Sequence, residues 1–183
     1  MTKALRAILG TALALFAVGC APSTGFIAQG HVTVTLQETS GTPSTTGFNF
    51  PPSTRIDPAL PSGRSDGFIG TCSVGPNGRS VVIQRVGGDR MGLESATFTL
   101  PDWSQDTCAS CNRGSASFVV AGTNFMGSQT AGASSTCQFT ASRTGSFDMR
   151  LQVQCRGVQS GARRADLDVD LNLDLCNGPM TRN

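Results

Sequence analysis

The chain is short of the residues that carry most enzyme chemistry. In 183 residues it has one His, one Trp and no Tyr. Lysine occurs once, at Lys3, so every other basic residue is Arg. Only 14% of the residues are charged, against ~25% in an average soluble domain. Each scarcity excludes something. A lone His31 leaves no His cluster for a metal and one candidate for any His-dependent triad, and its place where the first strand begins reads as a surface residue. Glutamate is confined to Glu38 and Glu94, and nothing marks the pair of carboxylates that a glycosidase needs. A formal net charge of +2 is too small for binding driven by phosphate neutralisation, so no nucleic-acid partner is expected. No apolar run reaches the ~20 residues of a membrane-spanning helix.

What is present begins at the N-terminus. Lys3 and Arg6 precede a mostly apolar run from Ala7 to Val18, the order of a signal-peptide basic region and apolar region. The run ends in Ala17-Val18-Gly19-Cys20. This tetrapeptide resembles the lipobox of bacterial lipoproteins. The resemblance covers residues 1–20 and implies lipidation of Cys20, cleavage before it and acylation of the new amine. Two or three acyl chains hold a protein to a bilayer where one holds it only marginally. In a Gram-negative envelope, Ala21 in place of Asp resembles the signal for the outer membrane. The expected organisation is therefore a signal peptide at 1–19, a lipidated Cys20 with a short tether to residue 30, and one domain over 31–183. Without Lys3 and Arg6 the basic count falls from 14 to 12, equal to the 12 acidic residues. The mature chain is formally neutral.

Seven cysteines minus Cys20 leave an even six: Cys72, Cys108, Cys111, Cys137, Cys155 and Cys176. Export to an oxidising compartment favours disulfides over thiols or zinc. Cys108-Ala109-Ser110-Cys111 is a CxxC, but a strand follows it instead of the helix that lowers a redox thiol's pKa, and Asn112 stands where a c-type haem motif needs His. Six cysteines allow 15 pairings. Cys137 and Cys155 both fall on the inward phase of their strands, which points to bridges across the core.

The periodicity is that of β-structure. Alternation marks strands at 31–38, 79–86, 95–100, 115–121, 136–141, 147–155 and 165–175, with a weaker one at 67–74. Asn77-Gly78 is a hairpin dipeptide, and residues 134–176 read as a meander. With 22 Gly and no sustained helical period, helices are not expected. The reading is all-β: a disulfide-stapled β-sandwich of about eight short strands, immunoglobulin-like or jelly-roll. Residues 39–66 hold five of the nine prolines and read as a long surface loop pinned by Phe48, Phe50 and Ile56, or else as a link from a separate N-terminal arm.

Few residues suggest chemistry. Asp166, Asp168, Asp170 and Asp174 look like a calcium ladder, but they alternate with apolar residues as a strand does, not as an EF-hand loop does. The simpler reading pairs Asp168 with Arg156 and Asp174 with Arg150 across neighbouring strands. Arg163-Arg164 reads as a solvated loop, and Trp103 as a core lid or a sugar or partner anchor. No catalytic set, metal or cofactor is expected. The composition fits a non-enzymatic, lipid-anchored module of the bacterial outer membrane that binds the membrane through its lipid and an envelope protein through its loops, with residues 39–66 leading. A carbohydrate- or peptidoglycan-binding lipoprotein is the alternative.

Overall fold

Alternating apolar and polar residues turn every second side chain to one face of a strand. In the computed structural model, which describes residues 25–37, 41–75, 78–88, 91–101, 113–130, 135–144, 147–174 and 176, that pattern is realised as ten strands. They are β1 (Phe26–Gln37), β2 (Ser44–Ile56), β3 (Gly67–Gly75), β4 (Gly78–Val86), β5 (Leu93–Leu100), β6 (Gly114–Val120), β7 (Thr123–Gln129), β8 (Cys137–Thr144), β9 (Phe147–Ser160) and β10 (Arg163–Asp174). Two antiparallel five-stranded sheets result. The first has the order β2-β1-β10-β9-β8 and the second β3-β4-β5-β6-β7. Their inward faces meet in one core, where Val32, Val34 and Leu171 of the first sheet and Val81, Ile83 and Phe98 of the second are fully buried.

The disulfide-stapled sandwich is the fold, with ten strands where alternation alone marked eight. Its connectivity is simpler than either form expected. Within each sheet every strand pairs with its neighbour in the chain, apart from β1 with β10. The Greek-key returns of immunoglobulin-like and jelly-roll sandwiches are not among these ladders. The expected meander is there as β8-β9-β10.

The largest departure lies in residues 39–66, which contain β2 instead of a long loop. Two features let a proline-rich stretch form a strand. β2 is an edge strand, bonded only to β1, and edge positions and bulges are where proline is tolerated. Its register also jumps, from Ala28↔Thr54 to Gly30↔Phe50. Pro51, Pro52 and Ser53 are looped out of the ladder opposite Gln29, so no ladder N–H is asked of either proline. Ser53 takes a positive φ of 64° and Thr54 Oγ1 donates to the Pro51 carbonyl at 2.7 Å. Phe48 and Phe50 go into the core, at 2% exposure each, and make edge contacts with Phe68 at centroid distances of 4.9 and 5.0 Å. Residues expected to pin a loop thus form the core of a strand pair.

β1 opens at Phe26, five residues before the expected start at His31. A bulge between Ala28 and Gly30 hid this segment by breaking the alternation. Gly30 sits at φ 124°, and a Cβ there would collide with the Asp170 carbonyl, so glycine is what allows β1 to lie against β10. β7 also escaped the sequence pattern, because it sends only Phe125 and Gly127 inward as fully buried residues. Gly127 packs on the Cys137 sulfur, where a Cβ would not fit.

Two disulfides tie the described residues. Cys137 and Cys155 face each other in the β8–β9 register and bond to each other. They staple neighbouring strands of one sheet and do not cross the core, because both share one inward row. Cys72 on β3 bonds Cys176, the buried residue that follows β10, and so joins the two sheets. Cys108 and Cys111 lie outside the described residues, as do Cys20 and Trp103.

The two bridges span 104 and 18 residues of sequence. In the chain-entropy account the longer loop stabilises by roughly 4–5 kcal/mol and the shorter by about 3 kcal/mol. Cys72→Ala/Cys176→Ala is therefore expected to lower the unfolding free energy by about 1–2 kcal/mol more than Cys137→Ala/Cys155→Ala. Urea titration of both double variants beside the parent measures the order.

Candidate functional site

The outward faces of the two sheets differ in chemistry. On the second sheet, register sets Thr71, Val82, Thr97, Ser117 and Met126 in one row and Ser73, Ser80, Thr99, Ser115 and Ser128 in the next. These two rows carry no charge. The first sheet presents amides, carboxylates and guanidiniums. One of its rows runs Asn49, His31, Asp170, Gln152, Thr140 across all five strands, and the next runs Gly47, Thr33, Asp168, Gln154, Gln138. Residues within a row stand about 4.8 Å apart and the rows about 6.8 Å apart, as pleated geometry dictates.

These two rows floor a groove of about 350 Å³ lined by His31, Gln138, Thr140, Gln152, Gln154, Asp168, Val169 and Asp170. Its two carboxylates are neutralised by arginines that flank it. Arg150 grips Asp170 with two hydrogen bonds, Nη2–Oδ2 at 2.8 Å and Nε–Oδ1 at 3.1 Å, and Gln152 Nε2 adds a third at 3.3 Å. Arg156 grips Asp168 the same way, at 2.7 and 3.0 Å. The Arg150 hydrogen bonds, with that cation's charge, hold the Asp170 carboxyl below its ordinary range against a partial burial that pushes the other way. Gln152 and the nearby His31 contribute in the same direction as Arg150.

Two members of the aspartate ladder, Asp168 and Asp170, are thus ion-paired with arginines of the neighbouring strand. Asp168 meets Arg156 as expected, whereas Arg150 takes Asp170 and not Asp174. In the observed register Arg150 lies opposite Asn172, diagonal to Asp170. A bulge between Ala165 and Leu167 shifts the β9–β10 pairing and makes this selection. Asp166 accepts from the Gly157 N–H at 2.7 Å and from Gln37 Nε2 at 3.3 Å. Among the described residues, no three of His, Cys, Asp and Glu are grouped so as to hold a metal. His31 is exposed, in mid-row and not at the start of β1. Arg163 and Arg164 open β10 instead of lying in a loop, and Arg163 Nη1 donates to Thr123 Oγ1 at 2.7 Å.

That last bond belongs to a second cluster. The turns at one end of the sandwich are laced together. The Ala121 N–H donates to the Gly92 carbonyl at 3.2 Å, the Gly122 N–H to Glu94 Oε1 at 2.7 Å, and the Leu93 N–H to Thr46 Oγ1 at 3.1 Å. With Arg163 they link the first residues of β2, β5, β7 and β10 and the β6–β7 turn. Met91, 76% exposed, stands here. A cleft of about 470 Å³ at the same end is lined by residues that include Arg85, Gly87, Gly88 and Glu94. Glu94, one of the two glutamates, is therefore a brace for a turn.

The groove residues Gln138, Thr140, Gln152 and Gln154 had no signal of their own. Each is one polar residue in the outward phase of a strand, and only the register of β8, β9 and β10 brings them together. Comparison with known proteins adds nothing to this geometry: no protein-family model, curated protein or solved structure matches the chain.

Asp170 also gives the sheet a pH signature. Its folded pKa lies below the ordinary 3.8, so its ion pair stabilises above about pH 4 and is lost as pH falls through the folded value. The Asp170 side chain is 35% exposed and Arg150 43%, so screening limits the effect to roughly 0.2–1 kcal/mol. Asp170→Asn is expected to be less stable than the parent at pH 6, with the difference shrinking as pH falls below about 4, as read from urea midpoints across that range.

Proposed function

We infer that the chain is a lipid-anchored module of the bacterial outer membrane, non-enzymatic, that offers the laced hairpin end of its sandwich to an envelope protein. The observation that carries this reading is the direction of β1. The strand opens at Phe26, so only residues 21–25 separate it from Cys20. Fully extended, five residues reach about 18 Å, about half the reach that the later start implied. β1 then runs 12 residues to Gln37, roughly 40 Å at strand rise, and ends among the turns that Arg163, Glu94 and Thr46 hold together. An anchor at Cys20 would put one end of the sandwich at the bilayer and those turns at the other.

The hairpin end suits a protein partner. It combines fixed backbone, the arginines Arg85 and Arg163, and an exposed Met91, a side chain that adapts to the shape it meets. It also replaces residues 39–66 as the leading surface, since the middle of that segment, Ser44–Ile56, is built into β2. Among the described residues no helix is long and apolar enough to cross a membrane. The membrane contact in this proposal is the lipid alone.

Two measurements test the proposal. Cys20→Ser should move the protein from the membrane fraction to the soluble exported fraction; a variant that still sediments with membranes overturns the anchor. A photo-crosslinker placed at Met91 in the native envelope should trap a discrete protein adduct that the same probe at Ser117, on the uncharged sheet face, does not. Equal labelling from both positions, or none, contradicts the hairpin-end interface.

A further inference from the structure

We propose that the groove on the first sheet is a second functional surface, independent of the anchor and of the hairpin end, and that it binds a neutral, hydroxyl-rich saccharide chain. Three observations support the assignment. The first is the density of uncommitted hydrogen-bonding groups. Gln138, Gln154 and Thr140 make no side-chain hydrogen bond among the described residues, yet all three line the same 350 Å³ groove beside the His31 ring. Each amide is a planar group with a donor and an acceptor side by side, which matches the paired donor and acceptor needs of neighbouring sugar hydroxyls.

The second observation is charge. Asp168 and Asp170 are each held by an arginine outside the groove's lining, Arg156 and Arg150. An anionic ligand would meet two carboxylates, and a cationic ligand would compete with two guanidiniums already in place. A neutral ligand meets neither penalty, while the carboxylate oxygens stay able to accept from hydroxyls. The third is preorganisation. The three bonds from Arg150 and Gln152 fix the Asp170 carboxylate, and the strand register fixes the spacing of the rows. Backbone and carboxylate need no ordering on binding, so the ordering cost is confined to the glutamine side chains. The rows continue across five strands, from Asn49 to Thr140. A chain lying along them would find polar groups beyond the length of one ring.

The test uses the full chain carrying Cys20→Ser, titrated with soluble neutral oligosaccharides: maltotetraose, mannotetraose and the β-1,4-linked tetramer of N-acetylglucosamine. Backbone amide shifts report the site. At least one of the three should perturb residues 31, 138–140, 152–154 and 168–170 together. Gln138→Ala/Gln154→Ala should weaken that ligand about tenfold, as loss of two neutral hydrogen-bonding groups implies. Thr97→Ala/Thr99→Ala on the opposite sheet should leave the affinity unchanged. The altered glutamines are exposed and outside the core, and an unchanged thermal midpoint verifies that the variant folds. The proposal is overturned if none of the three sugars shifts the groove residues, if the shifts map to the other sheet or the hairpin end, or if the glutamine variant binds as the parent does. The crosslinking result at Met91 is unaffected by any of these outcomes, so the two readings fail separately.

Discussion

The pairing of β1 with β10 is the constraint on which the rest of the structure depends. Every other ladder joins strands adjacent in the chain, and local pairing alone would give three unconnected pieces: the β1–β2 hairpin and the meanders β3–β7 and β8–β10. The β1–β10 ladder brings residues 27–37 against residues 164–174 over eleven register pairs. It makes β1 an interior strand of the first sheet and lets the β1–β2 hairpin bury Phe26, Phe48, Phe50 and Ile56. Loop closure over such a separation is costly in entropy before any contact rewards it. Glycine at position 30, which permits the close approach to Asp170, and the Cys72–Cys176 bridge just past β10 both act at this seam.

The same pairing sets how the ends and outward faces of the sandwich are arranged. Because β1 runs through the middle of a sheet, its Phe26 end and the hairpin end are fixed relative to each other by a strand. Because β10 lies beside it, Asp170 and Asp168 are set between His31 and Thr33 on one side and Gln152 and Gln154 on the other. The ion pairs of that face are individually weak, being partly exposed. Their effect is to orient carboxylates and remove net charge from a groove whose remaining groups are amides and hydroxyls. The second sheet carries serine and threonine in the corresponding rows, so the two faces present different chemistry to whatever they meet.

Much of this was legible in the sequence and the rest was hidden for definite physical reasons. Strong alternation, as in Leu167, Val169, Leu171 and Leu173, located β10, and the same signal located β4, β5, β6, β8 and β9. β2 was obscured by Pro51 and Pro52, which belong to a bulge on an edge strand and not to a loop. β7 was obscured because its inward positions are a phenylalanine and a glycine fitted to a sulfur atom. The inward phase of Cys137 and Cys155 was readable, but not that they face each other. That fact and the choice of Asp170 by Arg150 depend on register, and register here is set by bulges that leave no pattern in the sequence. The groove was invisible for the same reason: its members are ordinary polar residues on three strands until pairing aligns them.

Hydrogen exchange tests the central claim most directly. If β1 and β10 close the fold, the amides of Val32, Val34, Val169 and Leu171 will exchange only through global unfolding, with the same opening free energy as Val81 and Ile83 in the second sheet. A clearly lower opening free energy at Val32 and Val34, with Val81 and Ile83 still protected, would contradict this. β1 and β2 would then be a separate arm docked on a self-sufficient domain, and the β1–β10 ladder would not be what closes the fold.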